Sequence, residues 1–350
     1  MGGIAYNQDA IADPVFSAAA PNHGMYGIAT SSFSCDVFTG AGNEAAILQL
    51  APCSEVMFSM LPDVTFILTD ASFRSKGVVS ITAYTRFINS DVTMTAETFL
   101  ERSPATGKLL TYSCINVATA ALATMYSTGA CPAGIGDDPY LYVSQFKGKT
   151  ARCVLEEISK VNGGYFFENS GAPDFALNGG DSKGSMTVTA DDYSAVSPGQ
   201  TKTVSRVFVT GVSRGDFYEV GSGEYYNTET LSGDYLIGET ICRAAAAKMF
   251  GQYVGWKCDN ILADNFTPVL HTDIGFSDDE VRTAEKITMK YTKNHSVMSA
   301  GADSFSMSFT DYSDMVQRAL TAKLDIDKTY GNSGIDSSYG IYFVEEDDDE

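Results

Sequence analysis

Residues Lys149 to Leu177 read KTARCVLEEISKVNGGYFFENSGAPDFAL, and the rest of the chain is read as packed around this stretch or leading to it. Ala151, Val154, Leu155, Ile158 and Val161 recur at the three- and four-residue spacing that puts apolar side chains on one helical face. Glu156 and Lys160 are four apart, in the favourable order for an ion pair on the wet face. Asn162 and Gly163 supply residues that enter the left-handed conformation closing a helix. Tyr165 to Glu168 and Asp174 to Leu177 then read as two strands around a turn with Asn169, Gly171 and Pro173. A helix this short cannot bury its stripe alone, so a sheet must receive it, most simply the hairpin plus strands from elsewhere. Glu156 and Glu157 read as helix-surface charge, and Cys153 lies beside the stripe. The stretch reads as scaffold.

The chain around it has 350 residues, of which 44% are hydrophobic, enough for a sizeable core in two or three domains. Thirty-nine Tyr and Phe residues, with 32 Gly, tilt the expectation towards β-structure with tight turns. The net charge is -21, six units of which sit in Glu345 to Glu350. Free binding to nucleic acid is not expected of such a chain. Residues 1–73 contain no Lys or Arg, whereas Asp9, Asp13, Asp36, Glu44, Glu55, Asp63 and Asp70 are acidic. Two readings stand: solubility, or a wall that repels a passing polyanion.

Seven cysteines without a C-x-x-C pair argue against a disulfide framework and against tetrahedral zinc. The N-terminus shows no basic start or apolar core of a signal peptide, and no apolar run reaches the length of a membrane span. Folding in a cytoplasm is expected.

In chain order, Ile4 to Ala20 is weakly patterned and reads as an arm that orders against a partner. Gly27 to Phe38 reads as a half-buried strand with Phe33, Cys35 and Val37 on one face. Gly40 to Ala45 matches G-x-G-x-x-A, but Pro52 ends the next segment too early for a pyrophosphate-binding helix, so a hairpin is expected. Glu55 to Met60, Val64 to Thr69 and Gly77 to Tyr84 add strands of a small antiparallel barrel or sandwich.

Helices are expected at Thr95 to Arg102 and at Ile115 to Ser127, the second with Val117, Ala118, Ala121, Leu122 and Met125 inward and Gly129 as its stop. Leu141 to Phe146 reads as a strand, and Asn178 to Ser185 as a linker without phosphate-binding order. Further strands are expected at Thr203 to Thr210, Asp216 to Val220, Thr267 to Ile274, Glu285 to Tyr291 and Ser304 to Thr310. Helices are expected at Glu239 to Phe250, with Glu239 and Arg243 paired and Gly251 ending it, and at Tyr312 to Lys323. Trp256 is expected to pack.

The chemistry-bearing residues form no pattern. His23, His271 and His295 are far apart and none neighbours a plausible nucleophile. Asp325 to Gly331 resembles the start of a calcium loop, with Thr329 and a late Gly breaking the order. No catalytic, cofactor-binding or metal-binding residue is assigned.

Taken in order, GIATSSFSCDVFTG from Gly27, GVVSITAYTRF from Gly77, GKTARCVLEEISKVNGGYFF from Gly148 and TPVLHTDIG from Thr267 resemble the succession in tail-hub (baseplate hub) proteins of tailed bacteriophages and contractile injection systems. The resemblance spans Gly27 to Phe309 and departs at Thr272-Asp273, where Gly-Asp is expected. It implies an α+β, β-rich fold: two small antiparallel, tail-tube-like β-barrels with an inserted helix-containing α+β domain. The corresponding division is 1–97 for the arm and first barrel, 98–180 for the helical insert, 181–330 for the second barrel, and 331–350 for an acidic tail.

The implied role is a non-enzymatic, homotrimeric virion protein of the tail tip or baseplate, joining a sixfold tail tube to a threefold tip. Its implied partners are tail tube or distal tail proteins, tape-measure protein and tip spike or fibre proteins, with DNA passing unspecifically through the channel. Some longer members carry a peptidoglycan-cleaving or receptor-binding region after the hub, which is not expected where this chain ends at its acidic run. The alternatives are a receptor- or carbohydrate-binding tip module, on the strength of Tyr225-Tyr226 and Tyr339 to Tyr342, or a peptidoglycan hydrolase using a carboxylate pair hidden among 44 acidic residues.

Overall fold

A computed structural model describes residues 4–6, 11–40, 44–49, 54–94, 98–127, 129–211, 217–223, 227–277 and 280–303. The expected strand at Ser304 to Thr310, helix at Tyr312 to Lys323, calcium-like loop, acidic tail and both Tyr-rich stretches lie outside them. The protein is α+β and rich in strand, and it divides into two compact units, residues 1–201 with 253–305, and residues 202–252 with 306–350.

In the first unit the chain runs β1 (Ile4–Tyr6), β2 (Ile11–Ala19), β3 (Gly27–Ile28), β4 (Ser32–Phe38), α1 (Glu44–Leu48), β5 (Ser54–Phe58), β6 (Leu61–Ser75) and β7 (Val78–Thr85). Next come β8 (Thr111–Tyr112), α2 (Cys114–Leu122), β9 (Leu141–Tyr142), α3 (Val143–Phe146), α4 (Ala151–Asn162), β10 (Gly164–Asn169), β11 (Ala172–Leu177) and β12 (Gly184–Thr187). Strand β13 (Ser197–Val204) leads out to the second unit. There β14 (Arg206–Thr210), β15 (Phe217–Gly221), β16 (Thr228–Ser232) and α5 (Gly238–Ala247) follow. Strand β17 (Gly251–Leu262) returns, and β18 (Thr272–Gly275), β19 (Val281–Ala284), β20 (Lys286–Tyr291) and β21 (Ser296–Ala302) complete the described chain.

Ten strands form one sheet in the order β1-β5-β6-β7-β4-β2-β20-β21-β17-β13. Sequence-distant halves meet where β2 pairs antiparallel with β20, Phe16 opposite Met289 and Ser17 opposite Thr288. The Ile4 to Ala20 arm is therefore corrected: β2 is a central strand between β4 and β20. Its alternation was hidden by a bulge between Ala12 and Val15, where Asp13 takes a φ of 49°. Ile11 lies inward before the bulge, and Pro14, Phe16 and Ala18 lie inward after it, so the period of two changes phase within the strand. Phe33 stacks on Phe58 at 4.0 Å and lies 6.3 Å from Tyr291, joining both halves in one core with Phe66, Ile81 and Met298.

The Lys149 to Leu177 element forms the expected helix followed by a hairpin. Thr150 Oγ1 accepts the Cys153 amide at 3.2 Å to cap α4, and Gly163 closes it at φ 65°. Val154, Leu155 and Ile158 are fully buried, each worth about 1.5–3 kcal/mol. The hairpin β10–β11 receives the helix together with β3, which pairs parallel with β10. The Gly27 amide donates to Ser159 Oγ at 2.8 Å, tying helix to strand. A side chain at Gly164 would put Cβ 2.2 Å from the Ala176 carbonyl oxygen, so the second Gly of the pair is needed for close strand approach.

Local expectations change in detail. Lys160 pairs with Glu157 at 2.6 Å, and Glu156 faces Arg152 at 3.8 Å, so the Glu156–Lys160 pair is not formed. Glu157 is buried, because this helix is covered on more than its apolar stripe. Gly27 to Phe38 breaks at residues 29–31 into β3 and β4. Helix α2 ends at Leu122, and Met125 is only half-buried beyond it. Residues 98–102 form a turn and a bridge from Arg102 to Leu109. Leu141 to Phe146 begins as strand but becomes α3, capped where the Tyr142 amide donates to Gln145 Oε1 at 2.8 Å. The linker reading fails at Gly184 and Ser185, which pair in β12 with β18. Gly251 opens β17, and Lys248 is the C-cap of α5.

In the second unit, α5 covers the small sheet β15-β14-β16. Its core contains Val207, Leu231, Tyr235, Leu236 and Cys242. Glu239 and Arg243 pair at 2.6 Å as expected, with Arg243 also 5.6 Å from the Tyr218 ring.

Candidate functional site

The ten-stranded sheet has a dry face and a wet one, set by the period of two along each strand. Phe16, Phe33, Ile81, Ile287, Met289 and Ala300 are buried on the inner side. On the opposite side, side chains from five strands fall in register: Tyr84 opposite Ser32, Ser32 opposite Ser17, Ser17 opposite Thr288, and Thr288 opposite Ser299. All five are half-buried. A neighbouring row runs Asp70, Thr82, Ser34, Val15 and Lys290. Six of these ten side chains, Ser17, Ser32, Ser34, Thr82, Thr288 and Ser299, are short hydroxyls, and they come from both halves of the chain. Ser17 Oγ and Thr288 Oγ1 lie 3.4 Å apart at the junction.

The sequence signal for it was present as alternate Ser and Thr in SSFSCDV, VSITAYT, KITMK and SVMSA. Those stretches belong to β4, β7, β20 and β21, and only the register reveals that their hydroxyls form one surface. The cation-free segment has partners from beyond its end. Arg74 ion-pairs with Asp36, whose Oδ1 accepts Ser80 Oγ at 2.6 Å, and Glu55 faces Arg86 at 3.4 Å. Glu44 Oε1 accepts the Gly77 amide at 2.5 Å. Asp63, Asp70 and Asp13 are exposed, while Asp9 lies outside the described residues.

Toward the far end of the face, Lys257 and Lys286 flank Gly301, to which both are registered. A Cβ at Gly301 would come 2.3 Å from the Trp256 carbonyl oxygen, so the strands approach closely there. A cavity of about 300 Å³ lies over this point, lined by Lys257, Lys286, Thr288, Ser299 and Asp303 among others.

Two polar clusters lie elsewhere in the unit. Tyr165 donates its hydroxyl to Glu285, whose other oxygen meets His271 Nδ1 at 2.7 Å; His271 Nε2 lies 3.5 Å from the Gly180 carbonyl. Burial works against the charged form of His271. The hydrogen bond and charge of Glu285, aided by the Gly180 carbonyl and Asp273, outweigh it and raise the imidazole pKa above its ordinary 6.5. Burial first, then the Glu285 charge, pushes the Tyr165 phenol far up.

In the second cluster Glu168 accepts Tyr126 Oη at 2.8 Å and the Arg86 amide at 3.1 Å, and burial raises its pKa. Both clusters are tied into the interior, with Tyr165, His271 and Tyr126 buried.

The three histidines occupy three settings: His23 in a 3-10 turn, His271 buried, and His295 exposed with Nδ1 3.1 Å from Asp264. Trp256 packs as expected, donating Nε1 to the Thr283 carbonyl at 3.1 Å with its ring against Phe276. Thr272 and Asp273, where the hub resemblance departs, are used internally: Thr272 Oγ1 donates to the Val269 carbonyl and Asp273 accepts Thr283 Oγ1. Among the described residues no group of three His, Cys, Asp or Glu side chains is placed to hold a metal ion. No described helix is long and apolar enough to cross a membrane.

No family model matches the sequence, and no curated protein matches it. Among solved structures the chain is similar to the 43 kDa tail protein of prophage MuSo2 from Shewanella oneidensis, at 9% identity and a TM-score of 0.51, covering 84% of this chain and 94% of that one. A tail protein from Neisseria meningitidis MC58 is matched at 11% identity and a TM-score of 0.48, over 83% and 91% of the two chains. Prophage tail protein gp18 from Listeria monocytogenes is matched at 10% and 0.44, over 89% and 100%. The likeness to the Shewanella protein shows a shared fold, in agreement with the fold that the hub resemblance implied.

Proposed function

We propose that this protein is a structural component of a phage-like tail tip, a trimeric hub that joins a sixfold tube to a threefold tip and borders the channel with the hydroxyl face of its ten-stranded sheet. The observation that carries this reading is the Tyr84, Ser32, Ser17, Thr288, Ser299 row, continuous across strands from both halves. Three chains with two such halves each offer six sheet segments around an axis, which fits a change from sixfold to threefold symmetry. Short neutral hydroxyls stay hydrated and offer little grip to an extended chain or a duplex moving past. The fold shared with a prophage tail protein supports the same reading.

In this reading 1–97 and 181–330 supply the tube-like parts, 98–180 decorates them, and 331–350 forms an acidic tail. The partners are the tail tube or distal tail proteins, the tape-measure protein and the tip spike or fibre, in a virion tail. No turnover of peptidoglycan or phosphodiester is expected, and lysis that vanished on changing one Asp or Glu would overturn that. A symmetry-free reconstruction of the intact tail tests the hub itself. Three copies between tube and tip are expected; six copies in one ring, or one copy per peripheral fibre, would refute it.

A further inference from the structure

In its second half the wet face carries Lys257, Lys286 and Lys290, and the first two each have a carboxylate beside them. Lys257 Nζ lies 2.7 Å from Asp259 Oδ2, and Lys286 Nζ lies 3.2 Å from Asp303 Oδ1. All four side chains are exposed, so the pairing is a surface arrangement rather than a buried structural bridge. Asp259 also accepts a hydrogen bond from Ser299, and Lys290 is close enough to act on its charge. These hydrogen bonds and the two lysine charges hold the Asp259 carboxyl below the usual range, so it stays ionised at neutral and mildly acidic pH. In the first half Arg74, on the same side of β6 as Asp70 and Ser72, is spent on Asp36 in the same way.

We infer that Asp259 and Asp303 are masking residues: they pair with Lys257 and Lys286, and the Asp259 charge offsets that of nearby Lys290, so that the face presents little net positive charge to the phosphates of a nucleic acid moving along it. The inference rests on the reading of this face as the channel border, and it assigns the partner of that face as a polyanion that must pass without capture. Capture of phosphate by Lys proceeds through release of condensed counterions. A lysine already neutralised by its neighbour gains nothing from that exchange. The three lysines lie close together: Lys286 and Lys290 are four residues apart on one face of β20, and Lys257 shares the row of Lys286 through Gly301. Unmasked, they would make a cationic, anion-binding patch beside the cavity at Gly301.

The test compares three forms of the full chain with a fluorescent DNA duplex at low salt: wild type, Asp259→Asn with Asp303→Asn, and a control with the same change in net charge, Asp137→Asn with Asp181→Asn. Asp137 and Asp181 are exposed and lie in loops outside the strands of the ten-stranded sheet. The face variant is expected to bind at least tenfold more tightly than both others, with log affinity falling against log salt at a slope of about -2 to -3, near 0.9 per lysine. Adding Lys257→Ala, Lys286→Ala and Lys290→Ala should abolish that gain. Equal affinities for control and face variants, or no binding by the face variant, overturns the inference. Because the isolated chain is used, the outcome is independent of whether a reconstruction supports the trimeric hub.

Discussion

The helix–hairpin element at Lys149 to Leu177 and the strand β2 at Ile11 to Ala19 are both buried and both essential to the first unit, yet only one is readable from its own residues. The helix declares itself because every determinant is local: a 3.6-residue stripe, a Thr cap and a Gly-Gly exit. Strand β2 is defined by its neighbours. Its inward residues are Ile11, Pro14, Phe16 and Ala18, and the bulge at Ala12 to Val15 reverses which parity points inward. Local pattern suffices for an element that nucleates its own geometry, whereas a seam between distant segments becomes visible only through register.

The largest effect should come from breaking the legible element. Leu155→Asp puts a charge on the fully buried face of α4, at a cost of several kcal/mol, comparable to the whole stability margin of a domain. Loss of soluble expression is expected; a soluble variant with unchanged melting would show that the helix does not hold its sheet.

Next comes the seam. Phe16→Ala should destabilise by about 3–5 kcal/mol if β2 is a core strand. An arm that ordered only on a partner would leave urea denaturation of the isolated chain unchanged, so the variant separates the two readings directly.

A smaller loss sharpens the local side of the comparison. Thr150→Ala removes the side-chain cap of α4 and should cost about 1 kcal/mol in chemical denaturation, whereas Thr150→Ser should be near wild type.

The smallest effect is a slope. His271 has a raised pKa in the folded state, so its pairing with Glu285 stabilises fully below the unfolded value near 6.5 and is lost as pH rises through the higher folded value. Stability should therefore fall with rising pH just above 6.5, and His271→Gln should flatten that part of the profile. Glu168, also raised, contributes with the same sign, but around its carboxylate range.

The limits of the sequence reading have the same origin as the contrast between α4 and β2. The apolar faces of β4, β5, β6 and β7 were legible as strand-like runs, as was α5 with its Glu239–Arg243 pair. The hydroxyl surface was not, since no single strand contributes more than a few Ser or Thr residues to it. Strands β17 and β21 were missed because Gly251 and Gly255, and Gly301, interrupt the apolar alternation that marks a strand. The acidic bias of residues 1–73 is plain in their composition, but part of that charge is paired with Arg74 and Arg86, which a segment-by-segment count leaves out.

The central claim is that the hydroxyl face of the joined sheet borders the channel. A photo-crosslinking amino acid placed at Thr288, on that face beside the β2–β20 seam, tests it in assembled tails. The account predicts crosslinks to the channel's contents, the tape-measure protein before ejection and DNA during it, with none from the same probe at exposed Phe73. Crosslinks from Thr288 only to proteins of the tail exterior would contradict it.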